Sequence, residues 1–340
     1  MSTKYLTDVE LSGWVDRVIA ATRVYGVQAK GERFAYDPLA RAADLRLDFD
    51  VTMLPPKKLF QPLVETIMKF HTQGHYESVI DEEPFVVFGI HPYDIVAIGQ
   101  MDAIFTKDYA DVHYLTRRDR ATLVAVDIQN ASPNMFAACM GTEVVHEGFD
   151  ILLTRIGAGY VTEVRTEKGE ALLAYAVEVA DADALLLARR EQFWDDAGRF
   201  LNKYLLKCKP TDLPQLLEQH YDHRIWEVNA ALCYSCGSCN MVCPTCYCFD
   251  MQDQVDWSLT EGERVRRWDA CMLRDFAQVA GGHNFRRRRE ERYRHRYYRK
   301  GQYLWKRMGQ IACVGCGRCT TACTAKISNP VEVYNTLLEG

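Results

Sequence analysis

The chain has 340 residues, of which 48% are hydrophobic and 26% charged, and its formal net charge is −5. This length suffices for two domains with buried cores, and the small net charge gives no global reason to expect nucleic acid or an anionic membrane as a partner. We predict no membrane-spanning helix, because no run of about 18 apolar residues occurs. The N-terminal residues also lack the apolar core of a signal peptide, so we expect a cytoplasmic protein.

The N-terminal part alternates helical and strand patterns. Residues 8–22 have the apolar spacing of an amphipathic helix. Residues 85–90 (FVVFGI) and 121–128 (ATLVAVDI) are apolar runs typical of buried strands, and residues 95–105 between them predict a helix. This strand–helix–strand order indicates an α/β domain with a partly parallel sheet. Residues 149–173 predict two or three further strands with glycine-containing turns.

Helical patterns over residues 182–206 and 213–223 separate this part from a cysteine-rich C-terminal part. We therefore predict an α+β chain with two domains. The first, residues 1–207, is an α/β docking domain. The second, residues 208–340, is a ferredoxin-like domain with a long helical, arginine-rich insertion at about 250–310.

Two cysteine motifs determine the chemistry that we expect. Eleven of the thirteen cysteines follow residue 230, and C-x2-C-x2-C-x3-C occurs twice, at 233–243 and at 313–323. This run binds cubane [4Fe–4S] clusters, and in two-cluster ferredoxins its fourth cysteine ligates the other cluster. Gly237, Gly315 and Gly317 would let the backbone approach the clusters. We therefore predict one cluster on Cys233, Cys236, Cys239 and Cys323, and another on Cys313, Cys316, Cys319 and Cys243.

Zinc and disulfides are the alternatives. Structural zinc sites use pairs of cysteines separated by a loop, and a third cysteine two residues further on, twice over, does not suit them. Disulfide-rich proteins are short and secreted, which this chain is not expected to be. Thr324 stands where a proline usually follows the fourth cysteine, but that proline is not a ligand.

Three further cysteines lie close to the first motif in sequence or between the motifs. Cys246, Cys248 and Cys271, with His283 as a fourth ligand, are candidates for a third iron–sulfur cluster, since histidine replaces cysteine in some iron–sulfur sites. Asp250 or Cys208 are alternative fourth ligands. The other interpretation is that these are buried thiols that pack around the ferredoxin core.

Residues 285–300, FRRRREERYRHRYYRK, contain nine Lys or Arg and two Glu. They fit a solvated helix or docking face, a cover that stabilises the negative charge of the clusters, or a surface for an acidic partner. Tyr293, Tyr297 and Tyr298 interleave with the arginines, which leaves nucleic-acid binding as a further interpretation.

Other residues of the N-terminal part give weaker signals. We expect Lys57 and Lys58 in a surface turn and His91 in a turn at the end of a strand. Cys139 fits a core thiol, and no nucleotide- or flavin-binding motif is present.

The segments CYSCGSCNMVCPTCYCFD, WDACML, AGGHNFR and CVGCGRC resemble one family. They are similar to the iron–sulfur β subunits of cytosolic [NiFe] sulfhydrogenases and to the A subunit of anaerobic sulfite reductase. The iron–sulfur subunit of flavin oxidoreductases that feed heterodisulfide reductases is similar too. LPPKK and GFDILLT extend the resemblance over most of the chain.

The resemblance implies a non-catalytic electron-transfer subunit in a hetero-oligomer. Its clusters would relay electrons between a flavoprotein subunit that binds NAD(P)H and a catalytic or further iron–sulfur subunit. Relatives often have Arg-Pro-Cys-Asp where this chain has residues 91–94, HPYD, and more cysteine near Cys139. We therefore expect no metal in the N-terminal domain.

Two alternative functions stand beside the relay. One is a redox enzyme whose third cluster is open to substrate. The other is a nucleic-acid-binding iron–sulfur protein that uses residues 286–300.

Overall fold

A computed structural model describes residues 2–177 and 179–340. The strands are β1 (Ser2–Thr7), β2 (Arg23–Lys30), β3 (Arg33–Pro38), β4 (Val64–His71), β5 (His75–Ser78), β6 (Phe85–Ile90), β7 (Ala121–Val126), β8 (Ile151–Ile156), β9 (Gly159–Val164), β10 (Ala180–Asp181), β11 (Phe249–Val255) and β12 (Glu261–Trp268). Across the described residues, no helix has both the length and the apolar character needed to cross a bilayer.

The α-helices range from one turn to nearly five. They are α1 (Asp8–Ala21), α2 (Pro92–Thr106), α3 (Val112–Arg120), α4 (Ala137–Met140), α5 (Glu167–Leu173), α6 (Ala184–Phe200), α7 (Leu213–Gln219), α8 (Ile225–Leu232), α9 (Ser238–Met241), α10 (Arg289–Tyr298), α11 (Leu304–Met308), α12 (Arg318–Ala322) and α13 (Pro330–Glu339). A π-helical turn, Arg299–Tyr303, joins α10 to α11.

An eight-stranded mixed sheet forms the N-terminal part, in the order β10-β1-β9-β8-β7-β6-β2-β3. Its central pairs β2–β6, β6–β7 and β7–β8 are parallel, as the strand–helix–strand pattern predicted. All six residues of β6 are buried, because helices cover both faces of a parallel sheet. α1 confirms the predicted N-terminal helix and begins with a capping box at Thr7 and Glu10.

Residues 149–173 form two strands and a helix. β8 and β9 pair in antiparallel fashion as expected, but the last part of the segment is α5. The Thr166 side chain accepts a hydrogen bond from the Gly169 amide at 3.1 Å, which caps the helix and ends the strand pattern.

The insertion is not helical throughout, which corrects the sequence prediction. Its first part is the hairpin β11–β12, which joins β4 and β5 in a four-stranded antiparallel sheet in the order β11-β12-β4-β5. The Asp256 carboxylate accepts hydrogen bonds from the Thr260 and Glu261 amides and thereby closes the hairpin turn. A 3-10 turn at Asp275–Ala277 follows the hairpin, and α-helix in this insertion begins at α10. The division into domains at 207/208 stays a prediction. The four-stranded sheet crosses that division, because β4 and β5 precede residue 207 and β11 and β12 follow it.

The C-terminal helices enclose a second core that is rich in aromatic side chains. Trp226, Tyr293, Tyr297, Tyr298 and Tyr334 are all almost fully buried in it. The three tyrosines that interleave with arginine in the sequence therefore face the core, where they cannot stack on nucleic-acid bases.

Candidate iron–sulfur centres

Four of the predicted ligands line one cavity near the protein surface. Cys233, Cys236, Cys239 and Cys323 surround a volume of about 320 Å³, and we call this group the first centre. Cys236 is exposed, whereas Cys239 is buried. The Ser235 amide donates a hydrogen bond to the Cys233 Sγ at 3.3 Å, the type of contact that tunes a cluster sulfur.

The other four predicted ligands line a second cavity of about 450 Å³. Cys243, Cys313, Cys316 and Cys319 form this second centre, and Arg296 and Lys300 line the same cavity, as do the aromatic rings of two core residues, Phe136 and Tyr334. The structure thus brings each motif's fourth cysteine into the cavity of the other motif.

The two motifs have the same local geometry. Gly237 and Gly317 have φ angles of 75° and 77°, and each stands immediately before a short helix, α9 or α12. This left-handed conformation favours glycine and turns the loop into the helix. Since α9 and α12 pack against each other, the cysteine after each helix reaches the opposite cavity.

The second loop also lies directly on the backbone of the N-terminal part. A Cβ at Gly317 would stand 2.3 Å from the Asn134 carbonyl oxygen, and a Cβ at Gly315 would stand 2.6 Å from that of Phe136. The Phe136 amide donates to the Gly315 carbonyl at 2.8 Å. The N-terminal part therefore helps to shape the second centre.

A buried ion pair joins the same two parts. Arg318, inside the second motif, donates to both carboxylate oxygens of Asp94 at 2.7 and 2.6 Å, and both side chains are buried. The Arg318 guanidinium also donates to the Thr52 carbonyl and hydroxyl oxygens at 2.9 Å. Burial raises the pKa of Asp94, and the guanidinium opposes that rise.

One face of the arginine-rich segment places positively charged side chains at or beside the cysteine cavities. Arg292, Arg296 and Lys300 recur every fourth residue, so they form a row along one side of the helix. All three are buried, and none forms an ion pair with a carboxylate among residues 2–177 and 179–340. We call them the cation row.

The cation row runs from the first centre to the second. The Arg292 guanidinium donates to the Met272 carbonyl at 3.0 Å and to the Ser235 hydroxyl at 3.2 Å, beside the first cavity. Arg296 and Lys300 line the second cavity. Burying a cation without a counter-charge costs free energy. We therefore expect anionic groups in the cavities to compensate the charge of these side chains.

Burial acts on the pKa of predicted ligands in both centres. It raises the pKa of Cys239 and of Cys313 to about 12. Because only the thiolate binds iron, loading these sites must release protons. Burial lowers the pKa of Lys300, but the adjacent Cys243 and Cys246 thiolates raise it above its usual value.

Cys246, Cys248 and Cys271 are called the outer thiols, and two of them lie against Asn240 of the first motif. The Asn240 amide donates to Cys246 Sγ at 3.4 Å and to Cys271 Sγ at 3.3 Å, so it bridges two of them. Cys246 and Cys271 are buried, and Cys248 is half-buried.

The structure does not bring the proposed fourth ligands to the outer thiols. His283 is exposed, with its ring 4.7 Å from that of Phe285, because Gly281 and Gly282 turn the chain outward at φ angles of 87° and 81°. Asp250 is exposed too, and Cys208 packs in the aromatic core.

Lys57 is not in a surface turn, contrary to the sequence prediction. It is buried, its ammonium group donates to the Cys246 carbonyl, and it lies 4.0 Å from the centre of the Trp268 ring. Burial lowers the pKa of Lys57 to about 8. His91 does follow β6, but it is fully buried and stacks on Phe49 at 3.9 Å, which agrees with a structural residue.

Sequence reasoning missed Asp94 and Arg318, and it did not resolve the arginine-rich segment into a buried and an exposed face. The four-residue spacing of Arg292, Arg296 and Lys300 was a usable signal for the buried face. The Asp94–Arg318 pair had no local signal, because the two residues are 224 positions apart.

These surroundings fit a pair of anionic iron–sulfur clusters. Eight thiols stand in two groups of four, the loops approach closely at glycine, and within residues 2–177 and 179–340 the cation row has no carboxylate partner. All thirteen cysteines are free thiols, so the structure contains none of the disulfides considered as an alternative.

Comparison with known proteins agrees with this chemistry. Residues 232–327 match the family described as a 4Fe-4S dicluster domain. The chain is 32% identical over 329 residues to the sulfhydrogenase 2 subunit beta of Pyrococcus furiosus, which covers 96% of this chain and 95% of that protein. No solved structure matches the chain. The chain therefore belongs to the family of sulfhydrogenase β subunits, as the resemblance in its cysteine motifs indicated.

Proposed function

We propose that the chain is an electron-transfer subunit that relays electrons through two [4Fe–4S] clusters in a multisubunit oxidoreductase. The observation that carries this proposal is the exchange of fourth cysteines between the two cavities, which is the ligand pattern of two-cluster ferredoxins. Cys233, Cys236, Cys239 and Cys323 would hold one cluster. Cys243, Cys313, Cys316 and Cys319 would hold the other.

When bound, each cluster supplies a site that takes up and releases one electron. The protein's own residues position the thiolates, exclude water from the second cavity and compensate negative charge. The cation row performs the last task, since no carboxylate among the described residues pairs with it.

A relay needs two points of exchange, and the structure supports one at each centre. At the first centre, Cys236 is exposed. At the second, Cys313 also lines an open cleft of about 1620 Å³ between α2, residues 140–148 and the segment before the second motif. Electrons would enter at one end and leave at the other.

The partners that we propose follow from the family. The relative is named as a subunit of a sulfhydrogenase, and we propose that this chain also works within a hetero-oligomer. A flavoprotein subunit that binds NAD(P)H would stand at one end. A catalytic or further iron–sulfur subunit, of hydrogenase, sulfite reductase or heterodisulfide reductase type, would stand at the other. The cytoplasmic location stays a prediction from the sequence.

The test is to purify the chain without oxygen, to measure iron, sulfide and zinc per polypeptide, and to record EPR spectra of the reduced form. We expect about eight iron and eight sulfide with two interacting [4Fe–4S] signals. Zinc in place of iron would contradict the relay. Purification of the native complex should then recover a flavoprotein subunit.

The outer thiols are the observation that favours a second candidate, a redox enzyme with a third cluster. His283 and Asp250 are exposed and Cys208 packs in the aromatic core, so a cluster held by Cys246, Cys248 and Cys271 would have an open iron. An iron count of about twelve would assign this site. A count of about eight would assign Cys246, Cys248 and Cys271 as packing thiols.

A further inference from the structure

The opening of the first cavity to solvent, which we call the mouth, has apolar side chains at its middle and basic side chains at its edge. Tyr234, which lines the cavity, is 71% exposed, and Leu232 at the end of α8 is 58% exposed. Exposed Cys236 stands between Tyr234 and the α9 turn. Large exposed apolar side chains beside a redox site are typical of a contact surface, since aromatic residues and arginine are enriched in interfaces.

Arginines that are not in the cation row form the edge of this mouth. Arg289 donates to the carbonyls of Ala230 and Ala231 at the end of α8, both at 3.4 Å. The buried Arg292 side chain donates to the carbonyls of Arg286 and Arg287, at 3.1 and 2.7 Å, and thereby fixes this stretch beside the first cavity.

Two further cations complete the edge, which we call the basic rim. Arg274 is exposed and follows Met272, a lining residue of the cavity. Lys326 is exposed and lies between the lining residues Ala325 and Ile327. The basic rim thus consists of the four exposed cations Arg274, Arg287, Arg289 and Lys326.

The carboxylates near the basic rim offset only part of its positive charge. Glu290 and Glu291 both pair with Arg288, at 2.7 and 3.3 Å. Asp275 and Glu227 are exposed beside the rim. Within the described residues, no rim cation forms an ion pair with a carboxylate. Burial and the neighbouring Arg289 lower the pKa of Arg292, which agrees with crowded positive charge here.

We infer that this mouth is the docking site of an acidic electron-carrier protein, which exchanges electrons with the first centre. The inference rests on the proposed function and narrows it, because the partner at the first-centre end of the relay would then be this carrier and not a resident subunit. A chain with a net charge of −5 would repel an acidic carrier from most of its surface, so a local basic rim directs the approach to this mouth. In the exchange, one electron leaves the reduced carrier and enters the oxidised first centre, and no bond forms or breaks.

A nucleic acid fits this surface less well than a protein. Tyr293, Tyr297 and Tyr298 are buried, so the three tyrosines that interleave with the arginines cannot stack on bases, and Phe285 at the start of the segment is its exposed aromatic side chain. Tyr234 and Leu232 form an apolar middle directly over a redox site, which a protein carrier would cover and a phosphate backbone would not.

The experiment uses the full chain with its clusters and follows their reduction by stopped-flow absorbance. The electron donor is an acidic bacterial two-[4Fe–4S] ferredoxin, reduced beforehand, and reduced methyl viologen is the donor that needs no docking site. The test variant is Arg274→Gln with Arg287→Gln. The control variant is Arg41→Gln with Arg199→Gln, which removes equal charge from exposed arginines of the N-terminal part.

We expect the rate constant with ferredoxin to fall by about tenfold in the test variant at low salt, and to lose most of its dependence on ionic strength. The control variant should keep the wild-type rate, and reduction by viologen should be equal in all three proteins. An unchanged ferredoxin rate in the test variant would overturn the docking site while leaving the relay intact. Failure of viologen to reduce wild-type protein would instead contradict the proposed function.

A second measurement separates nucleic acid from protein as the occupant. Binding of a short single-stranded RNA is followed by fluorescence anisotropy with the same three proteins. We expect weak binding that the test variant does not change. Tight binding that the test variant abolishes, together with an unchanged ferredoxin rate, would overturn the inference in favour of a nucleic-acid site.

Discussion

The two centres share one sequence motif but have different surroundings. The first centre lies at the surface, and its ligand loops contact residues of the C-terminal part, with Arg292 of the cation row beside it. The second centre lies between the two parts of the chain, and residues 134–137, Asp94 and two members of the cation row stand around it. The spacing of the cysteines therefore determines which ligands meet, whereas the neighbours determine how protected each centre is.

The largest effect should come from the exchanged fourth cysteines. We expect Cys323→Ser to remove the cluster of the first centre and Cys243→Ser that of the second, each with loss of about half of the iron. Iron analysis and EPR of the reduced proteins measure this. Cys208→Ser is the control, since this thiol packs in the aromatic core. Loss of the same EPR signal in both variants would contradict the exchange.

Asp94→Asn tests whether the N-terminal part stabilises the second centre. Removing one partner of a buried ion pair costs about 3–5 kcal/mol, because Arg318 is left buried without its counter-charge. We expect a lower midpoint of anaerobic thermal unfolding and faster loss of the second cluster to a chelator.

Asp253→Asn is the matched control for that variant. The Arg264–Asp253 pair also has two hydrogen bonds, at 2.7 and 2.8 Å, but it is solvent-exposed. Exposed pairs contribute about 0–1 kcal/mol, so this change should have little effect. Equal destabilisation by both variants would show that burial does not decide the outcome.

The substitutions Gly237→Ala and Gly317→Ala compare the two ligand loops directly, because these glycines occupy equivalent positions. Both positions have positive φ, which costs about 1–2 kcal/mol for alanine. At Gly317 the new Cβ would also meet the Asn134 carbonyl oxygen at 2.3 Å, whereas at Gly237 it would meet the Ala270 Cβ at 3.0 Å. We expect Gly317→Ala to lower the unfolding midpoint further than Gly237→Ala. The reverse order would mean that the second loop moves more easily than its backbone contacts indicate.

The smallest effect should be on the reduction potential of the second centre. Lys300→Met removes a buried positive charge while keeping a long side chain, so we expect the potential to fall by roughly 50–100 mV, or about 1–2 kcal/mol for one electron. Potentiometric titration with EPR measures both centres. The first centre should change less. Lys306→Met, which removes an exposed charge paired with Glu218, should leave both potentials as they are.

Local patterns in the sequence were enough to predict much of the fold and the two groups of candidate cluster ligands. Strands β6 and β7 and helix α1 are signalled by runs of apolar residues or by their periodicity, because each buries a face formed by neighbouring residues. Residues 249–268 show why such patterns also fail. One of their two strands, β12, pairs with β4, nearly two hundred residues earlier, and no local pattern reports that partner.

By itself, the sequence determined that eight cysteines form two equivalent motifs, since ligand spacing on a loop is a local property of the chain. Only the tertiary structure decided what surrounds them. It turned Arg292, Arg296 and Lys300 inward and left Arg274 and Arg287 exposed. It also placed Asp94 against Arg318, because burial and charge pairing depend on which distant segments pack together.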